Sequence, residues 1–198
     1  MAILFSEILY KGTSLGLMPN KTNVAREWYR EKAREFGNVN ETNFFKDQTN
    51  KFRSTFDIGS MYLFYYDPKL KATLPYYDRV PLVFPIGSAP GGFLGINMHY
   101  LPYDLRAKLM DSLYTIASDD KFNQRTKLQL SYKTLNSAAK FREFKPTVKH
   151  YLLSNVRSKF MYIRPSEWDM ALFLNIAKFE KASQTQVWEE SKRIIKGR

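Results

Sequence analysis

Three apolar runs separated by turn residues occupy residues 58–102. The first is Met61-Tyr62-Leu63-Phe64-Tyr65-Tyr66, ended by Asp67-Pro68-Lys69. The second, Val80 to Ile86, contains Pro81 and Pro85. Two prolines at that spacing exclude a helix and argue against a central strand, so an edge strand or a bulged one is expected. The third, Phe93 to Tyr100, is opened by Gly91-Gly92 and closed by Pro102. The connection from Gly87 to Gly92 suits a hairpin loop of moderate length. These runs predict a small antiparallel β-sheet or barrel over about 58–101.

The flanks follow a helical period. Residues 1–20 form a mixed opening, with turn residues Lys11 to Ser14 and a stop at Pro19. From Val24 to Phe36, Ala25, Trp28, Tyr29, Lys32 and Phe36 make one stripe. Thr22 or Asn23 can cap that helix, and Gly37-Asn38 ends it. Its alternating Arg26, Arg30, Arg34 and Glu27, Glu31, Glu35 are expected to form a solvated face. Residues 38–57 are polar with phenylalanine anchors, a short helix or an ordered loop. Pro102-Tyr103-Asp104 starts a helix carrying Leu105, Leu109, Leu113 and Ile116 on one face. A shorter helix follows around Leu128, Tyr132 and Leu135. Val148 to Val156 reads as helical, Phe160 to Ile163 as a strand, and Ser166 to Leu174 as a helix or strand-like run. A last amphipathic helix spans about 183–195. The expected fold class is α+β. It is one domain over 1–198, with a helical 1–57, a β core at 58–101 and a helical 102–198.

Composition narrows the functions. The chain has 198 residues, enough for one domain with a sizeable core. There is no cysteine, so disulfides and thiolate metal sites are excluded. His99 and His150 are the only histidines, too few for a structural zinc site. No metal and no cofactor is expected. No apolar run approaches the ~20 residues of a membrane span, so no membrane partner is expected. The opening residues lack a basic region and Glu7 interrupts them, so no signal peptide is expected either.

Charge changes the picture more. The net charge is +12. Residues 121–165 hold 11 of the Lys and Arg residues and a single acid, Glu143, which leaves +2 for the rest of the chain. Solubility alone gives no reason to concentrate charge in this way, and local concentration points to a polyanionic partner. Lys121, Arg125, Lys127, Lys133, Lys140, Arg142, Lys145, Lys149, Arg157 and Lys159, with Arg164, are the candidate phosphate contacts. Phe122, Tyr132, Phe141, Phe144, Tyr151 and Phe160 interleave with them and could stack on bases. The competing reading makes these aromatics core anchors with solvated cations beside them.

Catalytic chemistry has weaker support. Asp67, Asp78, His99 and Asp104 lie in or beside the expected sheet, but their spacing matches no metal-binding pattern. Asp67-Pro68-Lys69 and Tyr77-Asp78-Arg79 are good turn sequences. There is no nucleophile elbow and no phosphate-cradling glycine loop. The chain is expected not to be an enzyme.

Several segments carry a family likeness. They are Ala25-Arg26-Glu27-Trp28-Tyr29-Arg30, Met61 to Lys69, Leu74 to Arg79, Gly92 to Pro102, Phe144 to Tyr151 and Glu167-Trp168-Asp169. Together they resemble the DNA end protector or head-completion family of T4-like contractile-tailed phages, over nearly the whole chain. The resemblance implies a virion protein, made in the host cytoplasm, that sits on the end of the packaged DNA, shields it and helps complete the head. The partners implied are a linear double-stranded DNA end and other head or neck proteins. It brings no residue-level site, so the DNA contacts stay those read from charge. The alternative is a neck, tail or baseplate protein whose basic stretch meets an acidic partner without DNA contact.

Overall fold

The computed structural model describes residues 4–117, 121 and 123–197; within these, the side chains of residues 112, 115–117, 124, 125, 127, 128, 131 and 143 are not described. The helices are α1 (Leu4–Ser14), α2 (Asn23–Glu35), α3 (Glu41–Asp47), α4 (Tyr103–Ala117), α5 (Gln124–Ala138), α6 (Trp168–Phe173) and α7 (Gln184–Lys196). The strands are β1 (Phe52–Arg53), β2 (Met61–Leu63), β3 (Tyr77–Asp78), β4 (Leu82–Ala89), β5 (Gly92–Asn97), β6 (Val148–Leu152), β7 (Phe160–Ile163) and β8 (Phe179–Glu180).

The fold is α+β. Six strands form an open antiparallel sheet in the order β1-β7-β2-β4-β5-β6, and β3 pairs with β8 in a small second sheet. The sheet does not close into a barrel. Its middle comes from the three apolar runs, while β1, β6 and β7 arrive from outside 58–101. β4 is bulged, with a register shift between Pro85 and Gly87, but it is central rather than an edge. Pro85 lacks only its donor, and its carbonyl still accepts from the Gly59 N–H at 2.9 Å. The loop between β4 and β5 is tighter than expected. Ala89 pairs with Gly92, leaving only Pro90 and Gly91 in the turn. Gly91 has φ +69°, the left-handed value such a turn requires.

Val148–Leu152 is a strand, not the expected helix. Its apolar spacing fits either period, and pairing with β5 decides it, from Ile96 opposite Val148 to Gly92 opposite Leu152. Gly92 makes the close approach possible, because a Cβ there would stand 1.8 Å from the Tyr151 carbonyl oxygen. The opening residues are also more regular than expected: Lys11 to Ser14 form the last turn of α1, which buries Phe5 and Ile8.

Both faces of the sheet are covered. On one, Met61, Leu63, Leu82, Phe84, Ile96, Met161 and Ile163 join the main core with side chains of α1, α2, α4 and α6. On the other, Tyr62, Phe64, Val83, Phe93, Tyr151 and Phe160 form a smaller aromatic core. Most of its rings meet edge to face, as between Phe64 and Phe160 with centroids 5.1 Å apart, while Phe93 and Tyr151 stack.

The charges of α2 are not all a solvated face. Arg30 is only 3 % exposed. Its guanidinium donates to Asp169 at 2.7 Å, to Glu27 at 2.6 Å and to Asp111 at 3.1 Å. The Arg34 guanidinium lies over the Phe173 ring, 4.6 Å from its centroid. Glu31 and Glu35 do face solvent. Burying a guanidinium demands partners for its donors, and acids on α4 and α6 supply them together with Glu27 of α2 itself.

Candidate nucleic-acid interface

The basic stretch begins with α5. Asn123 caps it, its side-chain oxygen accepting from the Thr126 N–H at 2.9 Å. Leu135 and Ala138 turn inward. The chain then makes a short 3-10 helical turn, Arg142–Thr147, and enters β6. Lys133, Lys140, Arg142 and Lys145 are exposed along this path, and none of them has an acidic partner among the described residues. Lys121 is exposed just before α5. Arg125 and Lys127 lie on α5, with side chains outside the described residues.

The fold adds two cations that local charge counting hides. α7 packs against the Arg142–Thr147 turn. The Arg142 guanidinium rests on Gly197, directly after α7, so close that a Cβ there would collide with it. The last turn of α7, beside that contact, carries Arg193 and Lys196, both exposed. In the sequence Glu189 and Glu190 offset them.

Other candidates lie in different settings. Arg157 and Lys159 are exposed between β6 and β7. Arg157 stands 3.7 Å from Asp67, which also holds Lys71 at 2.9 Å. Asp67, Lys71 and Arg157 line, with Arg79 and Glu180, a cleft of about 500 Å³ in which two acids offset most of the charge of three cations. Lys149 points to a separate cavity. Its ammonium sits 4.1 Å from the Tyr100 ring centroid. Burial lowers its pKa, against a smaller opposite pull from Glu190.

The interleaved aromatics divide. Tyr151 and Phe160 are buried in the aromatic core, and Phe144 packs against the main core. Phe122 lies outside the described residues. Phe141 is 60 % exposed, between Lys140 and Arg142. It walls a groove of about 560 Å³ floored by Leu105, Leu109 and Phe144, with Lys108 and Lys133 at its rim.

The carboxylates beside the sheet act structurally. The Asp78 Oδ1 accepts from the Val80 N–H at 3.0 Å, closing a side-chain turn. Oδ2 accepts from His99 Nδ1 at 2.7 Å and from Asn97 at 3.1 Å. Burial pushes the carboxyl upward, but the His99, Asn97 and Val80 contacts outweigh it and hold it below the usual range. Burial keeps the His99 imidazole below its ordinary value, hence neutral and able to donate from Nδ1. Asp67 is lowered chiefly by its bond to Lys71, and Asp104 is exposed. Among the described residues no three His, Asp or Glu side chains are grouped to hold a metal ion.

Neither a curated protein nor a solved structure matches the chain. A family model does, described as Phage T4 terminal DNA protecting protein. It is the family that the segments from Ala25 to Asp169 resemble. The match runs from residue 14 to residue 195, and the chain belongs to this family of phage terminal DNA protecting proteins.

Proposed function

We propose that this protein binds the end of packaged linear double-stranded DNA in the virion, protects it by steric cover rather than by catalysis, and helps complete the head beside other head or neck proteins. Lys133, Lys140, Arg142 and Lys145 hold phosphates, and Arg193 and Lys196 continue their track. Lys121, just before α5, and Arg125 and Lys127, on it, extend the track, and Lys159 is an outlying contact. Phe141 offers a ring to the terminal base pair. The observation that carries this reading is the exposed cationic face around 140–145, without acidic partners among the described residues.

The test is binding to a blunt linear duplex compared with a closed circle of the same sequence, across a salt series. Tighter binding to the linear form, with exonuclease digestion slowed in proportion, supports the proposal. A steep salt slope without end preference reduces the face to a generic polyanion site. Absence of DNA binding at physiological salt favours a protein-binding neck or tail component.

A further inference from the structure

The cavity around Lys149 has the chemistry of a nucleotide pocket. It holds about 430 Å³ and is walled by Tyr66, Tyr76, Tyr77, Tyr100 and Tyr151. That volume falls in the range of small-molecule sites, roughly 300–1,000 Å³. Lys149 enters it from β6 with its ammonium over the Tyr100 ring. Tyr76 stands beside Tyr100, the ring centroids 5.9 Å apart. Lys149 forms no ion pair among the described residues. Two carboxylates line the same cavity: Asp78, already engaged by His99, Asn97 and the Val80 N–H, and Glu190, which together with burial pushes the Tyr76 pKa up to about 12. Lys149 is partly buried among aromatic walls, balanced only by Glu190 beyond ion-pair distance, so its charge is costly there unless a further anion joins it.

We propose that this pocket takes the terminal nucleotide of one DNA strand, its base against the half-buried Tyr76 and Tyr77 rings and its phosphate on Lys149. This rests on the end-binding reading above. Two placements connect the pocket to the basic face. Lys149 follows Lys145 by four residues, leading from the Arg142–Thr147 turn into β6. Glu190 and Ile194 of α7 line the cavity, and the end of that helix meets Arg142. A strand held on the cationic face therefore reaches the pocket within about 10 Å, the rise of two helical turns. Every base presents a ring face, so the pocket reads an end rather than a sequence.

A blunt end must unpair before its last nucleotide can enter, whereas an overhang need not. The experiment compares closed circle, blunt duplex and duplex with a two-nucleotide overhang, using wild type, Lys149→Met and Tyr76→Leu. Wild type should bind the overhang tighter than the blunt end by a factor of roughly ten. Lys149→Met should abolish that factor while affinity for the circle stays within about twofold, since the phosphate track is untouched. Tyr76→Leu removes one wall and gives the same result if Lys149→Met melts below the assay temperature. Equal affinity for overhang and blunt ends, with both above the circle, overturns the pocket and leaves the end-binding reading standing. Equal affinity for all three overturns both. An overhang preference that survives in a folded Lys149→Met also overturns the pocket. Free dAMP that binds wild type, with no overhang preference on DNA, assigns the cavity to free nucleotides and overturns the strand-end assignment.

Discussion

His99 donates from Nδ1 to the Asp78 carboxylate at 2.7 Å, and both side chains are fully buried. Asn97 donates to the same oxygen and also to the Tyr151 hydroxyl. One neutral imidazole and one carboxylate thus tie β3, the end of β5 and β6 together.

The first prediction concerns pH. Burial, with a smaller contribution from Arg106, keeps folded His99 below its ordinary 6.5, while Asp78 opposes it. Below pH 6.5 the unfolded chain takes up a proton that folded His99 resists, so stability falls on acidification. Asp78, held below its ordinary 3.8, adds a second loss below that value. Thermal melts of wild type should therefore decline from pH 7 to pH 5. His99→Gln should be less stable at pH 7 by about 1–3 kcal/mol and show a flatter decline. Parallel declines would remove His99 as the cause.

Gly92 and Gly95 give the second prediction. A Cβ on Gly95 would stand 2.3 Å from Val83 Cγ1, a side chain that can rotate. On Gly92 it would meet the Tyr151 backbone oxygen, which cannot move without breaking the β5–β6 ladder. Gly95→Ala should cost about 1–3 kcal/mol and Gly92→Ala more. Gly95→Val should cost more than Gly95→Ala. Urea denaturation measures all three, and a harmless Gly92→Ala would contradict the pairing of β6 described above.

The third concerns Arg30 and Asp169, 139 residues apart. Arg30→Met leaves a buried carboxylate without its main partner, and should cost roughly 3–5 kcal/mol. The double variant Arg30→Met with Asp169→Leu should recover most of that loss. An additive double variant, read from the same denaturation curves, would show that the pair does not act as a unit.

The fourth concerns the basic face. Changing Lys140, Arg142 and Lys145 together to Gln should lower the slope of log affinity against log salt by roughly 2–3 on duplex DNA. The fold should hold, because these charges are exposed. The control is Lys11, Lys46 and Lys69 changed to Gln, exposed cations of other segments. The arginines of α2 cannot serve, since Arg30 and Arg34 are part of the packing. Equal losses in both triple variants would make the charge clustering uninformative.

The legible parts of the fold are those with a strong local period. The runs at Met61, Val80 and Phe93 became β2, β4 and β5, and of the stripe expected on α2, Ala25 and Tyr29 are buried and Trp28 and Lys32 half-buried, while Phe36, past the helix end, is 43 % exposed. Phe160 to Ile163 was legible as a strand through its apolar run and Pro165. Val148 to Leu152 was not, because Tyr151, Leu152 and Val156 satisfy a helical spacing and only β5 opposite them decides. The inward Arg30 was not legible either, since its partners Asp111 and Asp169 lie on α4 and α6. In the site, clustering identified Lys133, Lys140, Arg142 and Lys145 as a group. Arg193 and Lys196 needed the contact between α7 and Arg142. The tyrosine surroundings of Lys149 needed the fold, because Tyr66, Tyr76 and Tyr100 are remote from it in the chain.

The place of β7 has a consequence for how the protein is made. It lies between β1 and β2, with Tyr162 opposite Tyr62 and Met161 opposite Phe52. Until residue 163 has left the ribosome, β1 has no neighbour in the sheet and β2 presents a bare row of backbone donors and acceptors. Such an edge recruits other chains, and closing it across some hundred residues is slow. The nascent chain is therefore most prone to aggregate just before its last strand of the large sheet emerges, and a product ending in the basic stretch would remain in that state.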